Sequence, residues 1–302
     1  MLPAVLASLL FAFSAVVSQR SSRIFGAVPA NFYRLCIACV VLGLVTLAVD
    51  SSRGETSLHD GIFQRFFWSG LIGYGIGDIA LFLAYARLGS RLTILINWCA
   101  ASMTSAAGDY WLRQHFLTSQ QWIGIMAIMA GLWVALWPAD AAQRAKHHTG
   151  GVLMAIIAGA SMGIGTVLSS QAIDAANSIN VQVHGFSQAF QRSTAGLAAA
   201  LVAFLAVRFL MRHPVEVAAK KWKHKPFWLI STALCGPVLG VSCYQWALSL
   251  TGSSTIVVAI AATSTLLVIP LARMMEKDIP GRRQIAGTIL AVAGVVALRV
   301  FS

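Results

Sequence analysis

Asp78 stands alone in an apolar run. It closes the segment Gly73-Tyr74-Gly75-Ile76-Gly77-Asp78, and no other charge lies between Arg65 and Arg87. A carboxylate in hydrocarbon is costly, so it persists where it binds a proton, meets a cation or contacts a polar ligand. Asp78 could thus take up and release a coupling proton, or pair with a substrate ammonium. The plainer role is a hydrogen-bonded carboxyl that braces helices. Two cations also fall inside apolar stretches, in the matching triplets Phe32-x-Arg34 and Phe190-x-Arg192. Arginines near helix starts commonly snorkel to headgroups or cap carbonyls. With an anionic substrate, Arg34 and Arg192 would be the first anion contacts to consider.

Uncharged groups complete a candidate cavity. Tyr74, Asn97 and Trp98 lie in one part of the chain, and Tyr244, Gln245, Thr263 and Ser264 in another. Each can hydrogen-bond or stack on a ligand, or equally bond between helices. His184, Gln188 and Gln191 share one helix face, lining either an entrance or an interface. Asp109 is placed one turn from Arg113, as an i,i+4 ion pair.

Other chemistries lack their residues. There is no HExxH, no paired acids or His/Asp cluster, and no GxxxxGK[ST] loop, so any transport would run on a gradient or exchange. The five cysteines, Cys36, Cys39, Cys99, Cys235 and Cys243, sit in apolar segments as small packing residues. No cofactor and no metal is expected.

The elements that must position these groups are membrane helices. The chain is 58% hydrophobic and 11% charged, with mean hydropathy +0.75. A soluble domain of 302 residues could not cover its surface with so few charges. Ten apolar stretches are long enough to cross a bilayer, at 1–18, 28–49, 66–87, 91–112, 119–138, 151–173, 182–210, 226–250, 253–274 and 283–301. The first lacks the basic start of a signal peptide and is read as a span.

Residues 70–135 repeat as 233–298 at a constant offset of 163. The matches fall on small residues: Gly73/Gly236, Gly77/Gly240, Gly89/Gly252, Ser90/Ser253, Gly124/Gly287 and Gly131/Gly294, among others. The copies are five spans apart, an odd number, so the second enters the membrane upside down. Asp78 aligns with Val241, so the repeat's packing did not require an acid. The sequence predicts an all-α polytopic membrane protein of ten transmembrane helices in two inverted five-helix repeats. The first is 1–138 and the second 151–302, joined by a linker at 139–150.

Sixteen of the 22 Lys and Arg residues follow odd-numbered spans. The positive-inside rule puts that side in the cytoplasm and both termini outside. Lys220, Lys221, Lys223 and Lys225, with Trp222 and Trp228, read as a stretch contacting anionic headgroups. The net charge of +12 thus sits at helix ends and does not point to nucleic acid.

With these features the chain resembles the drug/metabolite transporter superfamily, in its EamA-like branch. The resemblance rests on the corners Ala84–Ser90 and Ala247–Ser253, on Ile269-Pro270-Leu271-Ala272-Arg273, and on Gln121-x-x-Gly124 with Gln284-x-x-Gly287. It implies a transporter of small metabolites with both termini cytoplasmic, opposite to the charge count. The expected function is a secondary transporter, exporter or exchanger, of a small polar or amphipathic metabolite such as an amino acid, working by alternating access. An intramembrane enzyme on lipid-linked substrates and a non-transporting structural or interaction protein are the alternatives. The expected setting is a bacterial inner membrane, with a second copy of the chain as a candidate partner.

Overall fold

A computed structural model describes residues 2–53, 57–113, 119–136, 149–210, 226–276 and 281–300. Among these every regular element is helical. The basic stretch Lys220, Lys221, Lys223 and Lys225 lies outside the described residues, as does most of the predicted linker.

The helices, in order, are α1 Leu2–Phe25, α2 Ala27–Arg53, α3 Asp60–Gly70, α4 Ile79–Leu88, α5 Ser90–Arg113, α6 Ser119–Leu136, α7 Thr149–Ser178, α8 Gly185–Leu210, α9 Pro226–Ala233, α10 Leu239–Thr251, α11 Ser254–Ala262, α12 Ser264–Met275 and α13 Arg282–Val300. π-helical segments at Leu71–Asp78 and Leu234–Val238 join α3 to α4 and α9 to α10. Among the described residues, seven helices or helix runs have the length and apolarity to cross a membrane. Helices α5, α6 and α13 pack with them.

The burial pattern is that of a protein in lipid. Large apolar side chains point outward, including Leu2, Val202, Phe209 and Met274. The interior instead holds many serines, threonines and amides, such as Ser69, Asn97, Ser169, Gln188 and Gln245. Lipid tails solvate leucine as well as a core does, so helices associate through close packing and hydrogen bonds between small residues. The Ser69 hydroxyl donates to the Gly165 carbonyl at 2.6 Å and lies 2.8 Å from the Ser169 hydroxyl, tying α3 to α7. Asp109 accepts from the hydroxyls of Ser254 and Thr255 at 2.6 and 2.8 Å, holding the end of α5 against the start of α11. Its predicted partner, the Arg113 side chain, lies outside the described residues.

Several contacts relate the two copies. A Cβ on Gly131 would meet the Gly287 carbonyl at 2.7 Å, and one on Gly294 would meet the Gly124 carbonyl at 2.7 Å. These are exchanged positions at the 163 offset, and their order makes α6 and α13 antiparallel. The same holds for α5 against α11 and α12: Asp109 reaches Ser254 at one end, and at the other the Ser90 amide donates to Glu276 at 3.2 Å. Gly89 and Gly252, also matched, turn their corners with φ of +80° and +63°, a region that disfavours any Cβ. The π segments start at matched residues too, Leu71 and Leu234. Pro237 supplies no N–H to the second, while Gly73, Gly75 and Gly77 populate the first.

One link is shorter than expected. Helix α1 continues to Phe25, so Arg20 and Arg23 lie within it and only Gly26, with φ +89°, separates α1 from α2. The Arg20 guanidinium stacks 4.9 Å from the ring of Trp228, so Trp228 also meets a cation of the opposite half.

Candidate functional site

The two π segments bring distant residues to one place. A cavity of about 80 Å³ lies between them, with a wall contributed by α1, α2, α4, α5, α7, α8 and α10 as well as both segments. Asp78, Tyr74, Asn97, Trp98, Tyr244, Arg34 and Arg192 all line it. Gln245, Thr263 and Ser264 do not. Gln245 donates to the Ser169 hydroxyl at 3.1 Å, Thr263 pairs with Ser8 at 2.9 Å, and Ser264 is fully buried elsewhere.

Both arginines sit two turns into their helices, and both are buried, at 5% and 3% exposure. Neither snorkels: the π segments turn toward them, and small residues leave room for a guanidinium in the interior. The Arg34 guanidinium donates to Asp78 in a buried ion pair. It also stacks on Phe82 at 4.7 Å. A Cβ on Gly236 would fall 3.2 Å from Arg34 Nη1 and 2.9 Å from the Ser14 hydroxyl. Arg192 is arranged in parallel. Its guanidinium lies 5.1 Å from the Tyr74 ring, and a Cβ on Gly73 would fall 2.9 Å from its Nη2. Gly73 and Gly236 are repeat mates, so each arginine packs against the glycine of the opposite copy.

The rest of the lining is aromatic and amphipathic. Phe11 lies 5.7 Å from Trp98 and 5.9 Å from Tyr244, and those two rings are 6.5 Å apart. The Tyr244 hydroxyl is 3.0 Å from that of Thr166, and Asn97 Nδ2 donates to Met162 Sδ at 3.6 Å. Among the described residues, Trp98 Nε1 and the Tyr74 hydroxyl are buried without a partner, as is Arg192 Nε. Such groups cost free energy until something polar reaches them. A site of two cations, one carboxylate and a set of rings can hold a small molecule that is partly polar and partly apolar.

Sequence reasoning missed the contribution of α1, whose Phe11, Ser14 and Ser18 line the cavity. His184, Gln188 and Gln191 belong to an interface. His184 pairs with Asp50 at 3.1 Å, Gln191 donates to the Ser57 carbonyl at 3.1 Å, and Gln188 donates to the Ser249 hydroxyl at 2.8 Å. His184 and Gln188 also line a second cavity, of about 600 Å³, near the link from α7 to α8.

The sequence pattern of the EamA-like transporter family matches residues 1–137 and again 149–300. The chain belongs to the EamA-like transporter family. As a member it is a multi-pass membrane protein and a transporter of the drug/metabolite transporter type. No curated protein sequence matches this EamA-like transporter. A solved structure, described as the crystal structure of a protein, is 17% identical and superposes with a TM-score of 0.63. The overlap covers 99% of this transporter and 96% of that chain, and it shows a shared fold.

Proposed function

We propose that this EamA-like transporter is a secondary transporter, an exporter or exchanger, of a small polar or amphipathic metabolite such as an amino acid. It works by alternating access around the cavity, which lies between ten spans arranged as two inverted five-helix repeats. The observation that carries this reading is the cavity wall, built jointly from both copies of the repeat at the middle of their helices. The antiparallel pairing of matched helices supports the inversion, and the π segments supply places where helices can bend.

The two ends of the cavity differ. Its lining runs from mid-helix toward the α4–α5 corner, reaching Tyr85 and Ile94. At the opposite end a polar network crosses between the halves. Ser57 donates from its amide to Asp50 at 3.0 Å, its hydroxyl meets Ser187 at 2.6 Å, and Asp50 pairs with His184. On this reading that network seals one side and opens when the halves rock.

Thermal unfolding of the purified protein across the amino acids and related metabolites tests the reading. Saturable stabilisation by a narrow chemical group, weakened at least roughly tenfold in Trp98→Ala, is the expected result. Uniform or absent responses across the library would count against a mid-cavity metabolite site.

A further inference from the structure

The two halves treat their arginines differently, and the difference points to a ligand. Arg34 and Arg192 stand in the matching triplets Phe32-x-Arg34 and Phe190-x-Arg192, line one cavity, and each presses on a glycine of the opposite half. Arg34 is neutralised by Asp78. The residue matched to Asp78 is Val241, and it too lines the cavity. Among the described residues Arg192 has no carboxylate within ion-pair distance, and its Nε has no hydrogen-bond partner. It is nonetheless 97% buried. A buried guanidinium without an acid is unstable relative to one that is paired, and the site as a whole carries one excess positive charge.

We propose that Arg192 is the recognition site for a carboxylate on the transported substrate, which takes the position that Asp78 occupies beside Arg34. The inference rests on the transport reading above and names the chemistry of its substrate. Guanidinium and carboxylate match in a bidentate pair. The Arg192 guanidinium lies over the Tyr74 ring, 5.1 Å from its centroid, a cation–π contact that holds the fork at the cavity wall. Trp98 and Tyr244 then face the apolar remainder of the substrate, and Trp98 Nε1 is free to donate to it. One excess charge calls for one anionic group, which a monocarboxylate supplies and a doubly charged phosphorylated sugar exceeds.

The test uses the full chain in detergent, in chloride-free buffer, with benzoate and benzamide as probes of equal shape and different charge. Benzoate should raise the unfolding temperature saturably, by about 2 °C or more, and benzamide should not. Arg192→Gln should remove the benzoate response. Val241→Asp supplies the missing acid within the chain, so it should unfold at a higher temperature than Val241→Asn and lose its benzoate response. In an Arg192→Gln background that order should vanish or reverse. Equal responses to benzoate and benzamide would overturn the proposal, as would a Val241→Asp protein no more stable than Val241→Asn. A benzoate response that holds while no amino acid undergoes counterflow in proteoliposomes would uphold the carboxylate site and refute amino-acid exchange. The two readings therefore fail separately.

Discussion

Asp78→Asn is expected to destabilise the protein by roughly 3–5 kcal/mol, the usual cost of removing one partner from a buried ion pair. The pair is well enclosed, with Arg34 and Asp78 side chains 6% and 11% exposed. The substitution keeps the shape and removes only the charge. It leaves Arg34 beside Arg192 in one cavity, two cations without an acid. The second half of the result distinguishes this account from simple loss of a polar residue. Arg34→Gln combined with Asp78→Asn removes both charges, and it should recover at least about half of the loss. Unfolding of the four proteins in a double-mutant cycle gives the coupling. Additive single effects of under about 1 kcal/mol each would show that the pair does not brace the site.

The second large effect is expected at Gly159. Helices α5 and α7 approach so closely that a Cβ there would stand 2.7 Å from the Ala100 methyl and closer still to the Asn97 carbonyl. An alanine gains about 1 kcal/mol of helix propensity over glycine, and at an open position that gain decides the sign. At Gly159 it does not, because the backbone of α5 would have to move. Overpacking costs about 1–3 kcal/mol or more, and in a bilayer close packing is the main force holding these helices together. Gly159→Ala should therefore lower stability by about 2 kcal/mol and weaken any cavity ligand, since Asn97 and Trp98 move with α5. Gly159→Leu should yield no folded protein. Gly61, where a Cβ would meet nothing within 4 Å among the described residues, is the control, and Gly61→Ala should be neutral or slightly stabilising. Unfolding and size-exclusion profiles of the three variants check this. Equal stability of Gly159→Ala and Gly61→Ala would refute the close approach.

Much of this was legible in the sequence. Asp78 was conspicuous because a charge in an apolar run has few reasons to be there. The repeat showed through its glycines, because matched backbones approach closely at matched places. The partnership of Asp78 with Arg34 was not legible, because the residues are 44 apart on helices whose relative depth and rotation no one-dimensional pattern gives. Arg34 and Arg192 looked like snorkelling side chains for the same reason: position along a helix does not say which face looks inward. The π segments were legible only as places where the glycines around Asp78 and Gly236-Pro237 allow a helix to bend, because the same glycines also serve close helix packing. Thr263 was chosen as a polar group in an apolar span, yet its hydroxyl donates to the Ile260 carbonyl at 2.6 Å, a common use of threonine in a helix.

Counterflow in proteoliposomes addresses the central claim most directly. Vesicles carrying the purified protein are loaded with an unlabelled amino-acid mixture and diluted into trace amounts of each labelled one. A secondary transporter with one alternating site predicts a transient accumulation of at least one tracer above equilibrium. The overshoot should be absent from protein-free vesicles and from Asp78→Asn. Tracer entry that only relaxes to equilibrium, does not saturate and ignores the internal amino acids would contradict alternating access and describe a passive pore.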